Sequence, residues 1–333
     1  MSPRVSRRER RRKSRREDSG VSAGSSDHPV LLCYDGSDAA ATAIAVAARV
    51  LSGSQALVCH AWTGLSRAIF QSDAGDLPAA LMEAAEELDA LDREAAEGLT
   101  AAGVRLASDA GFRAEALAIR ERRKTWRTLL EAADEHGASV VVTGAHGLSG
   151  LGRLVLGSVS TAVLNHSDRP VLVVPAAAPR NGGGPLLLPY DGSDSAARAI
   201  RAAGTLCSSR SAVVVNLWQS WVTQAPVLAG VARPVNAMTE ELDEIATGLS
   251  ESTAADGVRL AAEAGFDSQP VSACSAGSLW RSLLDLADEH DADALVLGPR
   301  GLTGLSRVLG SVSNGVVHHT RRPVLVVPEP TAS

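Results

Sequence analysis

The sequence predicts an α/β protein of two tandem, doubly wound domains, each a five-stranded parallel sheet with helices on both faces. Three observations predict it. The chain has 333 residues, more than one ordinary domain needs. Nearly all of it is written twice: VLLCYDGSDAAATAI (30–44) returns as LLLPYDGSDSAARAI (186–200), and TWRTLLEAADEHGASVVVTG (125–144) returns as LWRSLLDLADEHDADALVLG (279–298). Within each copy, short apolar runs alternate with segments of 3.6-residue periodicity, the pattern of β-α units joined by right-handed crossovers. A repeat this long means two similar domains and not a solenoid.

Each copy reads strand, helix, strand, helix, strand, helix, strand, loop, helix, strand. In the first copy the strands fall near 30–34, 55–61, 114–119, 139–143 and 170–174. All are short and apolar on both faces, as in a sheet covered on both sides. The first helix opens with Ser37 as a hydroxyl cap and Asp38 in the first turn, where its charge suits the helix N-terminus; Ser193 and Asp194 repeat this. Leu81, Ala85, Leu88, Leu91 and Ala95 mark the second helix, and Met238, Leu242, Ile245 and Leu249 mark its counterpart. Trp126 and Trp280 stand at equivalent helical positions among apolar neighbours and read as packing residues. A final helix, SVSTAVLNH, precedes the closing strand of RPVLVVP. The organisation is therefore a basic tail (1–28), a first domain (29–175), a Gly- and Pro-rich linker (176–185) and a second domain (186–328).

Composition narrows the function. Hydrophobic residues make up 45% but aromatics only 3%, so the cores must be built from Ala, Val and Leu. No apolar run approaches the roughly 18 residues of a membrane span, and no signal-peptide core opens the chain, which predicts a cytoplasmic protein. The net charge of −6 conceals an asymmetry: residues 1–20 hold nine Arg and Lys against three acids, leaving −12 for the rest. An acidic body argues against broad nucleic-acid binding by the folded part. The tail RRERRRKSRRE reads as a disordered charge block, suited to RNA, DNA or acidic lipid through counterion release, or as a solvated arm with no dedicated partner. Cys33, Cys59, Cys207 and Cys274 form no CxxC pair and no Cys/His ligand spacing, so free thiols, buried or partly buried, and no protein-held metal are expected.

The loop GAHGLSGLGRLVLGS (144–158) carries the chemistry. It follows the β-branched run VVVT, and GPRGLTGLSRVLGS (298–311) repeats it. In a doubly wound sheet, ligands sit beyond the carboxyl ends of the strands at the switch in strand order. Glycines there permit sharp turns and close approach. The helix that begins at Gly157-Ser158 presents free first-turn N–H groups, an anion site suited to a polyphosphate. Asp35 and Asp191, just past the first strand of each copy, either accept a hydrogen bond from a ribose or base, or close an Asx turn before the Ser37 and Ser193 caps.

These residues resemble the universal stress protein family, whose nucleotide-binding members carry Gly-x-x-Gly, nine residues, then Gly-Ser or Gly-Thr. Gly144, Gly147, Gly157 and Ser158 match that pattern, and Asp35, His60 and RPVLVVP fit as well. The resemblance spans 29–175 and 186–328. It implies strand order 3-2-1-4-5 in each domain and ATP, with Mg²⁺ as a companion, between the strand ends and the glycine loop. By position it places Cys33, Tyr34 and Asp35 against adenosine, Ala61 at the base edge, and Thr143 and Gly144 beside ribose and phosphates. Gly147, Gly157, Ser158 and Val159 would hold the phosphates. The matching second set is Pro189, Tyr190, Asp191, Leu217, Leu297, Gly298, Gly301, Gly310, Ser311 and Val312. The resemblance also implies pairing through the last strand, either within the chain, 171–175 against 324–328, or between two chains.

The copies differ from one another. Eight residues, one too few, separate Gly301 from Gly310. The segment IRERRKTW (119–126) puts Arg120, Arg122, Arg123 and Lys124 where the second copy has ACSAGSLW; these lean toward phosphates or a partner, or form a solvated basic edge. His146 is Arg300 in the second copy, and since Arg cannot act as a base, neither is given a catalytic role. No Gly-Lys-Ser/Thr and no GxGxxG after the first strand occur, which excludes a P-loop and a dinucleotide fingerprint. The expected function is an ATP-binding stress-response module. A weak ATPase or phosphoryl-transfer enzyme and a nucleotide-free interaction protein are the alternatives.

Overall fold

The structure, a computed structural model, describes residues 28–64, 79–121, 123–145, 156–179, 182–209, 211–220, 234–299 and 309–330, with side chains from 84 and 240 onward in the two long helices. The first half contains β1 (Val30–Cys33), α1 (Asp38–Val50), β2 (Gln55–Trp62), α2 (Ala79–Asp109), β3 (Arg113–Arg120), α3 (Thr125–Glu135), β4 (Val140–Gly144), α4 (Ser158–His166) and β5 (Val171–Val174). The second half repeats this as β6 (Leu186–Pro189), α5 (Asp194–Leu206), β7 (Ser211–Trp218), α6 (Pro234–Glu263), β8 (Asp267–Cys274), α7 (Leu279–Glu289), β9 (Ala294–Leu297), α8 (Ser311–His319) and β10 (Val324–Val326). Among the described residues no helix is long and apolar enough to cross a membrane.

All ten strands join one sheet, ordered β3-β2-β1-β4-β5-β10-β9-β6-β7-β8. Each half has order 3-2-1-4-5 and is parallel throughout. The halves meet at β5 and β10, which pair antiparallel with Leu172 opposite Leu325. Two separate sheets are thus fused by the strands expected to pair. Fusion removes two exposed edges, each otherwise a template for association. A second contact lies outside the sheet, where Leu51 bridges Cys207, Ser52 N–H donates to the Leu206 carbonyl at 2.8 Å and Ser208 N–H to the Val50 carbonyl at 2.9 Å.

The strands alternate their side chains between two cores. Val30 and Leu32 point to the side of α1, α2, α5 and α6, whereas Leu31 and Cys33 point to the side of α3, α4, α7 and α8. With few aromatics, the packing is by small residues: α1 buries Ala39, Ala40, Ala43 and Ala47. Ser37 accepts from Ala40 N–H at 3.2 Å as the N-cap, and Ser193 does the same with Ala196 N–H.

Three expectations need correction. The edge strands β3 and β8 have no buried residue, half of each being exposed and half intermediate, and are not apolar on both faces. Of the four cysteines, all free, Cys274 is exposed at the end of β8. The third concerns α2 and α6. The buried face of α2 is Ala85, Ala96, Thr100 and Ala107, while Leu91 is 61% and Leu249 65% exposed, Leu88 and Ile245 are exposed too, and so is Ala95. The cause is the face: at 3.6 residues per turn Ala85, Ala96, Thr100 and Ala107 share one side of the helix, whereas Leu88, Leu91 and Ala95 lie about a quarter-turn or more away from it. Small residues mark the side that packs closely. The side chains of Leu81 and Met238 lie outside the described residues.

Candidate functional site

β1, β2 and β4 run parallel and end on the same side, with Cys33 in register with Cys59. The chain turns away from β1 onto α1 on one face, and α4 starts on the other, so a crevice opens at the switch point. It holds a cavity of about 300 Å³. Its walls are the strand ends (Cys33, Tyr34, Asp35, Cys59, His60, Ala61, Thr143, Gly144), the start of α3 (Thr125, Leu129) and the first turn of α4 (Gly157, Ser158, Val159, Ser160), with Ala40 behind. The structure therefore brings together every first-copy candidate except Gly147, which lies outside the described residues together with His146, Arg300 and Gly301.

The local chemistry of these residues is specific. Asp35 Oδ1 accepts from Ser37 N–H at 3.0 Å and from Ser37 Oγ at 2.6 Å, so it closes the turn and also lines the cavity. Gly157 is the N-cap of α4 and Ser158 its first helical residue; no side chain caps this helix. The Gly157 N–H is spent on the Ala145 carbonyl at 2.6 Å, and the first intrahelical bond runs from Thr161 N–H to the Gly157 carbonyl. A helix leaves its opening N–H groups without intrahelical acceptors, so those of Ser158, Val159 and Ser160 are the donors on this wall. Thr143 shares a hydrogen bond with Ser160 Oγ at 2.9 Å, and Ser160 Oγ donates to the Gly144 carbonyl at 2.7 Å, which clasps β4 to α4. Gly144 has its own reason to be glycine: a Cβ there would stand 3.0 Å from the Ala39 carbonyl carbon of α1.

Two features escaped the sequence reading. His60, known only as a family match, shares a 2.9 Å bond with the Tyr34 carbonyl through Nδ1, which must carry the proton. Asn216 makes the equivalent bond to the Tyr190 carbonyl at 2.7 Å, so the signal available was a shared N–H donor at matched positions. The second feature is a pair of thiols. Burial, then the neighbouring Cys59 and Asp35, push the Cys33 thiol well above its usual pKa, and burial raises Cys59 to about 12. Both are neutral thiols at physiological pH.

The second half has a smaller cavity of about 150 Å³, lined by Pro189, Tyr190, Asp191, Leu217, Leu297, Gly298 and Val312, with Leu279, Leu283 and Ser313. Gly310 and Ser311 do not line it. Leu217 stands where the first half has Ala61, Leu279 where it has Thr125, and Leu297 where it has Thr143, which accounts for both the loss of volume and the loss of polar groups. Within the basic segment, Arg120 pairs with Asp89 of α2 and lies 5.7 Å over the Trp62 ring, and Arg122 lies outside the described residues. Trp126 and Trp280 pack, each stacked on a histidine, His166 at 4.3 Å and His319 at 4.4 Å.

Comparison with known proteins gives one consistent result. The profile of the universal stress protein family matches residues 28–175 and again 184–328. A universal stress protein of Mycolicibacterium smegmatis is 30% identical over 204 residues, 60% of this chain and 65% of that protein. One from Mycobacterium tuberculosis is 31% identical over 209 residues, 60% of this chain and 64% of its own length. The matched region thus spans just under two thirds of each of these relatives. Among solved structures, a universal stress protein from Archaeoglobus fulgidus aligns with a TM-score of 0.56 over 90% of this chain and 98% of its own, at 18% identity, a likeness of fold.

Proposed function

This chain belongs to the universal stress protein family, and we propose that its first-half cavity holds one adenine nucleotide per chain, making the protein a nucleotide-responsive stress-response module and not an enzyme. The observation that carries this reading is the meeting of the Asp35 carboxylate and the uncapped α4 N-terminus across one cavity of about 300 Å³. That volume sits at the lower bound of ordinary small-molecule sites, about 300–1,000 Å³, and the second cavity falls below it. The nucleoside lies against Cys33, Tyr34 and Ala61, and the second oxygen of Asp35 accepts a ribose hydroxyl. Ser158, Val159 and Ser160 N–H groups hold the phosphates, with Gly144, Gly147 and Gly157 allowing their approach. Mg²⁺ enters with the phosphates of ATP.

Two polar side chains of the cavity are engaged within the protein: Thr143 with Ser160 Oγ, and His60 Nδ1 with the Tyr34 carbonyl. That favours binding over catalysis. The free thiols suit a reducing cytoplasm. Isothermal calorimetry with ATP tests the reading: one nucleotide per chain, affinity lowered at least tenfold by Ala61→Leu, which imports the second-half residue, and unchanged by Asp191→Ala. Two equivalent sites, or an Ala61→Leu variant that binds like wild type, would sink it. Phosphate release with Mg²⁺ is expected well below about 1 s⁻¹, beneath the ordinary enzyme range.

A further inference from the structure

We propose that Cys33 and Cys59 form a two-coordinate site for a soft monovalent cation of the Cu(I) class in the wall of the first-half cavity. The two residues are direct register partners on the neighbouring parallel strands β1 and β2. Both side chains leave the same face of the sheet, toward α3 and α4. Both line the cavity and both are free, so an ion reaches them without opening the sheet. The second half holds Pro189 and Val215 at the same register pair, so the fold does not require thiols there. The site stands on this geometry alone and does not depend on the nucleotide reading.

Spacing selects the occupant. Neighbouring strands lie about 4.8 Å apart. A disulfide needs its Cβ atoms about 3.5–4.5 Å apart, a little under that spacing, and both thiols are free. A bridging metal ion with metal–sulfur bonds of about 2.3 Å spans up to about 4.6 Å between sulfurs, close to the strand spacing. Among the described residues no group of three His, Cys, Asp or Glu is gathered for a tetrahedral ion. Soft thiolates suit Cu(I), Zn and Fe–S clusters; the last two call for four ligands, so a pair of thiolates points to the Cu(I) class. The step balances as Cu⁺ plus two thiols giving a bis-thiolate complex of charge −1 and two protons, which leave through the cavity mouth; nothing is oxidised.

The test is an anaerobic titration of the reduced full-length protein with Cu(I) held by bathocuproine disulfonate. Wild type and Cys274→Ser, which removes the exposed thiol, are expected to withdraw one equivalent, with X-ray absorption reporting two sulfur neighbours. Cys33→Ala and Cys59→Val should each lower the affinity at least a hundredfold. Val already stands at the equivalent second-half position, so Cys59→Val is compatible with the fold. The double change Pro189→Cys with Val215→Cys should raise the capacity to two equivalents. Failure of wild type to compete, unchanged binding in Cys33→Ala and Cys59→Val, or nitrogen ligands in the absorption spectrum would overturn the assignment.

Discussion

Gly98 and Gly103 stand five residues apart on α2 and answer to different constraints. A Cβ on Gly103 would lie 2.7 Å from both the Tyr34 ring and Val58, and Gly257 on α6 repeats this with Tyr190 and Val214; a Cβ on Gly98 meets nothing within 4 Å. Gly103→Ala should therefore cost about 1–3 kcal/mol through overpacking, whereas Gly98→Ala should add up to about 1 kcal/mol through helix propensity. Urea unfolding of the two variants checks this, and the opposite order would contradict the packing described. Cys59 makes a second prediction at this scale. Its folded pKa of about 12 lies above the ordinary thiol value of 9.0. Between those values the unfolded chain has lost a proton that the folded one keeps, so stability is intact below the lower value and falls as pH rises through the window. The slope is at most about 1.4 kcal/mol per pH unit for this thiol. Cys33 acts in the same direction. Cys59→Val should flatten the fall, measured as urea midpoints from pH 8 to 10.5. Residues of this kind were unevenly legible in the sequence. Asp35 could be placed at the strand end but not divided between turn and ligand, and the structure shows that one oxygen closes the turn.

At the scale of elements, the order and type of strands and helices were legible because the repeat supplied two readings of one pattern. Helix α4 begins and ends where SVSTAVLNH predicts. The faces of α2 and α6 were not legible, because periodicity reports where leucines recur and not which side of a long helix meets the sheet. Where the crossing is close, the buried positions are Ala96, Thr100 and Ala107, which a hydrophobicity pattern underweights. Leu91→Gln should accordingly change stability by less than about 0.5 kcal/mol, while Ala96→Gln should cost about 1–3 kcal/mol. Thermal or urea unfolding distinguishes them, and equal losses would mean that the side of the helix carrying Leu91 is packed. The glycine loop was legible as punctuation, yet Gly144 is explained first by the approach of α1. At Gly144 the pattern therefore has a packing cause of its own.

At the scale of the whole molecule, the two halves are joined by more than the seam. Arg49 at the end of α1 forms an ion pair with Asp293, which is only 8% exposed, and donates to the Pro179 carbonyl at 3.2 Å. The link is one-sided: the repeat places Thr205 and Ser139 at the equivalent positions. Arg49→Thr alone leaves a buried carboxylate without its partner and should cost about 3–5 kcal/mol. The double variant Arg49→Thr with Asp293→Ser should recover much of that loss in chemical unfolding; additive losses would show that the pair does not act as a unit. The seam itself has a further consequence. Since β5 and β10 are antiparallel while every other neighbouring pair is parallel, chain direction reverses midway across the sheet. The two crevices therefore open toward opposite horizons. A surface that captures one of them leaves the other facing solution, and no short bivalent compound can occupy both at once.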